Sequence, residues 1–132
     1  MSIYLDCNAT TPMDRSVGEM VRRYMELEFG NSGSRTHEYG VAAKAAVEKA
    51  RYQIASVVDA EKDEVVFTSG ATESNNLAVL GLAPTLRERG KTHIITTAIE
   101  HKAVLEPCGY LESQGFDVTY LMPGEHGSID VM

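Results

Sequence analysis

The chain has 132 residues, of which 43% are hydrophobic and 23% are charged, a composition typical of soluble globular proteins. Acidic residues number 19 and basic residues 12, so the net charge is -7 and direct nucleic-acid binding is not expected. No apolar run approaches a membrane span, and the N-terminus lacks signal-peptide features. Cys7 and Cys108 have no zinc-site spacing, so no metal site is predicted, and two free thiols indicate a reducing cytoplasm.

The N-terminal part is predicted to be mainly helical. A short apolar stretch and a polar turn over 8–12 precede Asp14, which is a suitable N-cap for a first helix. Apolar residues at helical spacing define that helix: Val17, Met20, Val21, Tyr24 and Leu27. A loop over 29–34, rich in glycine, serine and asparagine, separates it from a second, alanine-rich helix over about 38–58.

The pattern changes after Asp63 into alternating strands and helices. Short runs of β-branched and apolar residues predict three strands, at 64–68, 93–97 and 116–121. Longer periodic segments predict two intervening helices, at 73–89 and 101–114. Pro84 and Pro107 are each expected to bend, end or begin a helix, and Gly90 to close the first one. The order β-α-β-α-β predicts an α/β fold with a parallel, doubly wound sheet and ligands beyond the carboxyl ends of its strands.

The segment 67–76 joins a predicted strand to a predicted helix and is rich in hydroxyl and amide side chains. A helix start presents unpaired N–H groups and the positive end of the helix dipole, which together with the Ser69 and Thr72 hydroxyls suit a phosphate group. The alternative is that Ser69 or Thr72 only caps the helix, with Glu73 favourable in the first turn.

His101 follows the predicted strand 93–97, at the edge of the sheet where ligands bind. An imidazole there could stack on an aromatic cofactor ring or transfer a proton. The alternative is a histidine that only bonds a backbone group at a helix start. The other histidines lack such a position and are expected at the surface: His37, His93 and His126.

Four further side chains with charged or reactive groups have simpler explanations. Arg35 is expected to be solvated or paired rather than to clamp a carboxylate. Lys102 is expected to be a surface lysine rather than a Schiff-base lysine. Cys7 has no neighbouring base in the sequence, and a free cysteine is usually a small buried apolar residue, which is also the interpretation of Cys108.

Four motifs, in order and at compatible spacing, resemble the signatures of cysteine desulfurases of the class V aminotransferase type. They are YLDCNATTP at 4–12, FGNSGSR at 29–35, FTSGATESN at 67–75 and EHKAV at 100–104. The neighbourhoods 81–84 and 105–107 resemble those members that supply sulfur for DNA phosphorothioation, although the members that serve iron–sulfur clusters are very similar.

The resemblance implies a homodimeric enzyme of fold type I that depends on pyridoxal 5′-phosphate (PLP). Such an enzyme converts L-cysteine to L-alanine and transfers sulfur to its own cysteine as a persulfide for a sulfur-acceptor protein. In this chain the resemblance implies that Ala71 and Thr72 hold the cofactor phosphate. It implies that the catalytic His101 stacks on the pyridine ring and assists proton transfer. Three residues are implied to line the substrate entrance: Asn8, Ala9 and Thr10.

The same resemblance implies a domain organisation. Residues 1–60 are expected to form an N-terminal helical segment that contributes to the small domain and the cofactor-site entrance. Residues 61–132 are expected to begin the PLP-binding large domain, and Ile129–Met132 to open another element. Three strands make a narrow parallel sheet, so the chain is expected to be the front part of a longer protein; the alternative is a natural short protein that completes itself by oligomerising.

Several family residues have no counterpart in these 132 residues. They are the cofactor-binding lysine in its Ser-x-His-Lys context, the aspartate that pairs with the pyridine nitrogen, and the cysteine that takes the sulfur; Cys7 does not inherit that last role. The chain alone is therefore expected to be inactive. Two alternatives stay open: a related lyase or transaminase of the same fold, and a non-catalytic domain that binds a desulfurase or a sulfur acceptor.

Overall fold

The computed structural model describes residues 2–129. Their elements, in chain order, are α1 (Arg15–Glu26), α2 (Glu38–Val57), a 3₁₀ turn (Lys62–Glu64), α3 (Ala71–Glu88), β1 (His93–Thr97), α4 (Lys102–Ser113) and β2 (Asp117–Leu121). The chain divides into two compact units, one up to Val66 and one from Phe67 onwards. None of the helices described is both long and apolar enough to cross a membrane. The element expected at Ile129–Met132 falls mostly on residues outside the described range.

Helix α1 begins where the sequence predicts. The Asp14 carboxylate accepts hydrogen bonds from the Ser16 main-chain N–H at 2.8 Å and from the Ser16 hydroxyl at 2.6 Å. The hydroxyl bond and then the N–H bond lower the pKa of Asp14. No α1 residue is buried, and apolar side chains such as Met20 stay half exposed. The predicted N-cap is therefore confirmed, although the helix covers its apolar face only partly in this unit.

Helix α2 also agrees with its predicted bounds. It begins after His37, whose Nδ1 accepts a hydrogen bond from the Gly40 N–H at 3.2 Å. Gly40 is buried, and a side chain added there would lie 2.6 Å from the Ser34 carbonyl oxygen. The start of α2 is therefore a closely packed loop-to-helix junction in which glycine is required for space.

The strand predicted at 64–68 is absent, and that prediction was wrong. Residues Lys62–Glu64 form a 3₁₀ turn, in which the Glu64 carboxylate accepts a hydrogen bond from the Glu61 N–H at 2.8 Å. Val65 is extended, but no strand in the described part of the chain pairs with it, and Val66 is 63% exposed. An apolar run indicates an extended backbone, but a strand also needs a hydrogen-bonded neighbour.

The second unit contains a parallel two-stranded sheet with α3 and α4. Strands β1 and β2 pair in register from His93 with Asp117 to Thr97 with Leu121. Helix α3 packs against α4, and the buried core consists of Ala83, Leu111 and Phe116. Gly90 closes α3 with a φ of 69°, in the left-handed region that glycine favours, as predicted.

Both prolines lie inside helices, so neither begins nor ends one. Helix α3 continues through Pro84 and α4 through Pro107. Proline removes one main-chain donor and crowds the preceding turn. Burial of the neighbouring apolar residues favours the continuous helices, since Ala83, Pro107 and Cys108 are all buried.

Candidate functional site

The start of α3 differs from the interpretation in which Ser69 or Thr72 caps the helix, although Glu73 lies in the first turn as predicted. Gly70, and neither Ser69 nor Thr72, is the N-cap residue. The Glu73 carboxylate instead accepts hydrogen bonds from the Ser69 hydroxyl at 2.7 Å and from the Ser69 N–H at 2.6 Å. These two bonds, the hydroxyl bond first, lower the pKa of Glu73. Ser69 therefore donates its hydroxyl to Glu73 in this structure, and its role in binding an anion stays a prediction.

The first three residues of α3, which are Ala71, Thr72 and Glu73, keep the hydrogen-bond donors that a phosphate needs. The first main-chain bond of this helix is donated by the Ser74 N–H to Gly70 O at 3.1 Å. The N–H groups of Ala71, Thr72 and Glu73 find no acceptor among residues 2–129, and neither does the Thr72 hydroxyl. A side chain added at Gly70 would meet no atom within 4 Å. The helix start therefore presents unpaired donors to open space, which suits an anion.

His101 is the N-cap of α4. Its Nδ1 accepts a hydrogen bond from the Ala103 N–H at 3.1 Å, as the simpler interpretation predicts. In a neutral imidazole the proton then resides on Nε2, because an accepting nitrogen carries none. Nε2 has no partner within the part of the chain that the structure describes. The backbone bond thus orients the ring without using its second nitrogen.

Thr72 and His101 line one cavity between α3 and α4. Its volume is about 540 Å³, and small-molecule sites commonly measure about 300–1,000 Å³. Asn76 also lines it and donates a hydrogen bond from Nδ2 to the Thr72 carbonyl oxygen at 2.9 Å. The remaining polar side chains of the lining are Lys102, Glu106 and Tyr110.

Sequence reasoning missed these additional residues. Lys102 is exposed, as predicted, and it also lies in the cavity lining beside His101, which the sequence did not indicate. A signal was available for Asn76, because it follows Thr72 by four residues and therefore shares its helix face. No comparable signal exists for Tyr110, since its position depends on how α4 packs against α3.

The predicted substrate-entrance residues lie in the other unit, in a hydrogen-bonded turn. The N–H groups of Ala9 and Thr10 point to Asp6 O, at 3.1 and 3.4 Å. The Tyr4 hydroxyl lies 2.8 Å from the same oxygen and 2.9 Å from Thr10 O. Asn8 is exposed within this turn. A role for these residues in substrate entry stays a prediction.

The two thiols differ in exposure. Cys108 is 1% exposed, and burial, followed by the nearby charge of Glu100, raises its pKa. Cys7 is exposed, so the expectation of a buried residue holds for Cys108 and not for Cys7. The expected surface positions are confirmed for Arg35 and for the three other histidines, His37, His93 and His126.

Comparison with known proteins agrees with these features. The family model described as aminotransferase class-V matches residues 3–132. The chain belongs to this family. The cysteine desulfurase IscS of Colwellia psychrerythraea is 53% identical over 133 residues, which cover 99% of this chain and 33% of that protein. IscS of Shewanella amazonensis is 52% identical over 131 residues, or 98% of this chain and 32% of that protein.

Solved structures of the family have the same fold. DndA from Streptomyces lividans superposes with a TM-score of 0.80 at 58% identity, over 97% of this chain and 36% of that one. The structure of SspA in complex with cysteine superposes with a TM-score of 0.79 at 46% identity, over 92% of this chain and 35% of that one. The predicted α/β fold of type I and the resemblance to cysteine desulfurases are thereby confirmed. The chain spans about a third of the length of the relatives it matches.

Proposed function

We propose that this chain forms the phosphate- and ring-binding part of a PLP-dependent cysteine desulfurase. The observation that supports this most directly is the shared cavity, in which Thr72 offers unpaired donors and His101 has a fixed ring with an unused Nε2. Cysteine desulfurases depend on PLP in general. One of the structural relatives has cysteine bound, which supports L-cysteine as the substrate.

The residues present fit the phosphate end and the flat ring of PLP. A helix start with unpaired N–H groups and a hydroxyl matches a phosphate dianion in charge and in hydrogen-bonding capacity. The cavity volume of about 540 Å³ is sufficient for a small cofactor. His101 supplies an aromatic surface next to these donors, where a heteroaromatic ring can stack.

Each residue then has a defined task. Ala71 and Thr72 donate main-chain hydrogen bonds to the phosphate, and the Thr72 hydroxyl adds a further one. His101 packs against the ring and holds a proton on Nε2 that it can exchange with a reacting group. When bound, PLP supplies an electron sink that stabilises negative charge on an attached amino acid. Asn8, Ala9 and Thr10 line the entrance for the substrate.

The whole protein, in this proposal, is a cytoplasmic homodimer that converts L-cysteine to L-alanine. The sulfur passes to a cysteine of the enzyme as a persulfide and from there to an acceptor protein, for DNA phosphorothioation or for iron–sulfur clusters. This chain has no Ser-x-His-Lys sequence, and Cys7 does not inherit the role of the cysteine that takes the sulfur. On its own the chain is therefore inactive. Residues 1–60 belong to the small-domain side and 61–132 to the large domain.

An alanine-release assay tests the proposal. The 132-residue chain supplied with PLP and L-cysteine is expected to release no alanine. A longer product of the same gene that includes a Ser-x-His-Lys and a later loop cysteine is expected to release one alanine for each sulfur transferred. The absence of alanine from such a product would contradict the proposal, and preference for another amino acid would favour a related lyase.

The missing lysine context also leaves room for a second function, that of a non-catalytic domain that binds a desulfurase or a sulfur acceptor. The coding sequence after the codon for Met132 separates the two. A stop codon there, together with association of the chain with a full-length desulfurase at micromolar concentration, would favour the binding domain. An open reading frame with the lysine motif would favour the enzyme.

A further inference from the structure

Lys102 and Glu106 place opposite charges in the cavity that Thr72 and His101 line. They lie one turn apart on α4, yet neither takes part in an ion pair within residues 2–129. A lysine four residues before a glutamate is the weaker order for a helical ion pair. Both charges are therefore able to act on a ligand in the cavity.

The position of Lys102 opposes the electrostatics of its own helix. Lys102 is the first residue of α4, and a cation there is repelled by the positive end of the helix dipole. The first turns of α1 and α4 contain no acidic residue, whereas the first turns of α2 and α3 contain Glu38 and Glu73. A bound anion would offset the repulsion between Lys102 and the start of its helix, because the lysine and the helix start would then attract the same negative charge.

We propose that Lys102 selects for anionic ligands in this cavity by offsetting the charge of Glu106, and so strengthens binding of the phosphate. The inference rests on the proposed function, since the phosphate is that of PLP. Besides His101, the titratable side chains of the lining are Lys102, Glu106 and Tyr110. Without the lysine, no positive side chain of the lining other than a protonated His101 would offset the charge of Glu106, and its carboxylate would repel the phosphate dianion.

A binding titration of the 132-residue chain tests this role. The probe is pyridoxine 5′-phosphate, which has no aldehyde and therefore cannot react with lysine side chains; pyridoxine, which lacks the phosphate, is the comparison. Amide chemical shifts of Ala71–Glu73 report occupancy. Lys102→Gln is expected to weaken binding of the phosphate ester by about two- to fivefold and to leave pyridoxine binding unchanged. The loss should shrink in high salt.

Two further variants determine the sign of the effect. Glu106→Gln is expected to tighten binding of the phosphate ester by a similar factor. Lys91→Gln makes the same change in net charge outside the cavity lining, and should change neither affinity. The midpoint of thermal unfolding should stay equal or rise in Lys102→Gln, because the substitution removes a cation from a helix start. A lysine with only a structural role would lower it.

The outcomes distinguish this inference from the proposed function. Wild-type affinity of Lys102→Gln for the phosphate ester, or an equal loss with pyridoxine, would overturn the role of Lys102 while the phosphate site itself stands. Failure of the wild-type chain to show any shift at Ala71–Glu73 would overturn the phosphate site and this inference with it.

Discussion

Each of the two compact units contains a helix that begins at a histidine, and the two histidines are used differently. His37 begins α2 and His101 begins α4, and in both rings Nδ1 accepts a main-chain N–H within the first turn. The Nε2 of His37 lies 3.0 Å from the Ser34 hydroxyl, so both ring nitrogens have partners. The Nε2 of His101 has none within residues 2–129.

The surroundings of the two histidines also differ, since one is closely packed and the other is open. The start of α2 is closely packed, with buried Gly40 against Ser34. The start of α4 opens on a cavity of about 540 Å³ that also contains Thr72. The same capping interaction therefore completes a structural junction in one unit and orients a ring toward an open site in the other. The two cases differ in whether Nε2 has a hydrogen-bond partner and in whether there is open space beside the ring.

Thiol labelling gives the largest expected difference between the units. Cys7 is exposed, whereas Cys108 is buried with a raised pKa. With a disulfide reagent near neutral pH, Cys108 should react at least about a hundredfold more slowly, because it must first be exposed by an opening of a few kcal/mol. In Cys7→Ser only the slow phase should remain. Two thiols of equal rate would contradict the burial of Cys108.

Substitution of Gly40 tests the close packing at the start of α2. Gly40→Ala should lower the free energy of unfolding by about 1–3 kcal/mol, because the new methyl group overlaps the Ser34 main chain. Gly81→Ala is the matched control, since its nearest contact is 3.9 Å and alanine favours a helix interior by about 1 kcal/mol. Urea unfolding measures both, followed by NMR signals of α2 for Gly40→Ala and of α3 for Gly81→Ala. Equal effects of the two substitutions would refute the packing argument.

Asparagine at each histidine position separates capping from the other uses of the ring, because asparagine is itself a good N-cap. His101→Asn should change the free energy of unfolding by less than about 0.5 kcal/mol, since a cap is retained. His37→Asn should cost about 0.5–1.5 kcal/mol, because the bond to Ser34 is lost. Only His101→Asn should weaken binding of pyridoxine 5′-phosphate. A loss of binding in both variants would remove the distinction between them.

The smallest effect concerns the carboxylate at the start of α3. Hydrogen bonds from Ser69 lower the pKa of Glu73 below its ordinary value of 4.5. A lowered folded-state pKa stabilises the fold at pH values above the ordinary one and loses this contribution as the pH falls through the lowered value. The stability difference between wild type and Glu73→Gln should therefore be constant from neutral pH to about pH 5 and shrink below it.

Chemical denaturation at several pH values measures this dependence, and Ser69→Ala should reproduce part of it by removing the hydroxyl bond. A difference between wild type and Glu73→Gln that does not change with pH would contradict the hydrogen-bond explanation.

Local structure was predictable where the signal is local. The bounds of α2 and the strand β1 at His93–Thr97 agree with the sequence patterns, because periodicity and β-branched runs report on a single element. The absence of a strand at 64–68 was not predictable, since formation of a strand depends on a partner strand that the local sequence does not reveal. The expectation that Pro84 ends a helix and Pro107 begins one was wrong, because burial of Pro107 and its neighbours outweighs the local preference; the alternative of a bend at each proline stays a prediction.

The site was predictable in part. Thr72 and His101 could be identified from their places after predicted strands and from the family motifs. The engagement of Ser69 by Glu73 was not foreseen, although a carboxylate in the first turn commonly reaches back to the residues before a helix. The presence of Lys102 in the cavity requires knowledge of how α3 and α4 pack, which no local pattern contains.

The most direct test of the phosphate site uses the two helix starts as an internal comparison. In a titration of the isotopically labelled chain with pyridoxine 5′-phosphate, the amides of Ala71, Thr72 and Glu73 should shift, while those at the start of α2 should not. Thr72→Val should weaken this binding by about 1–3 kcal/mol, because a hydrogen bond to a charged group is lost. Absence of shifts at Ala71–Glu73, or equal shifts at both helix starts, would contradict the account.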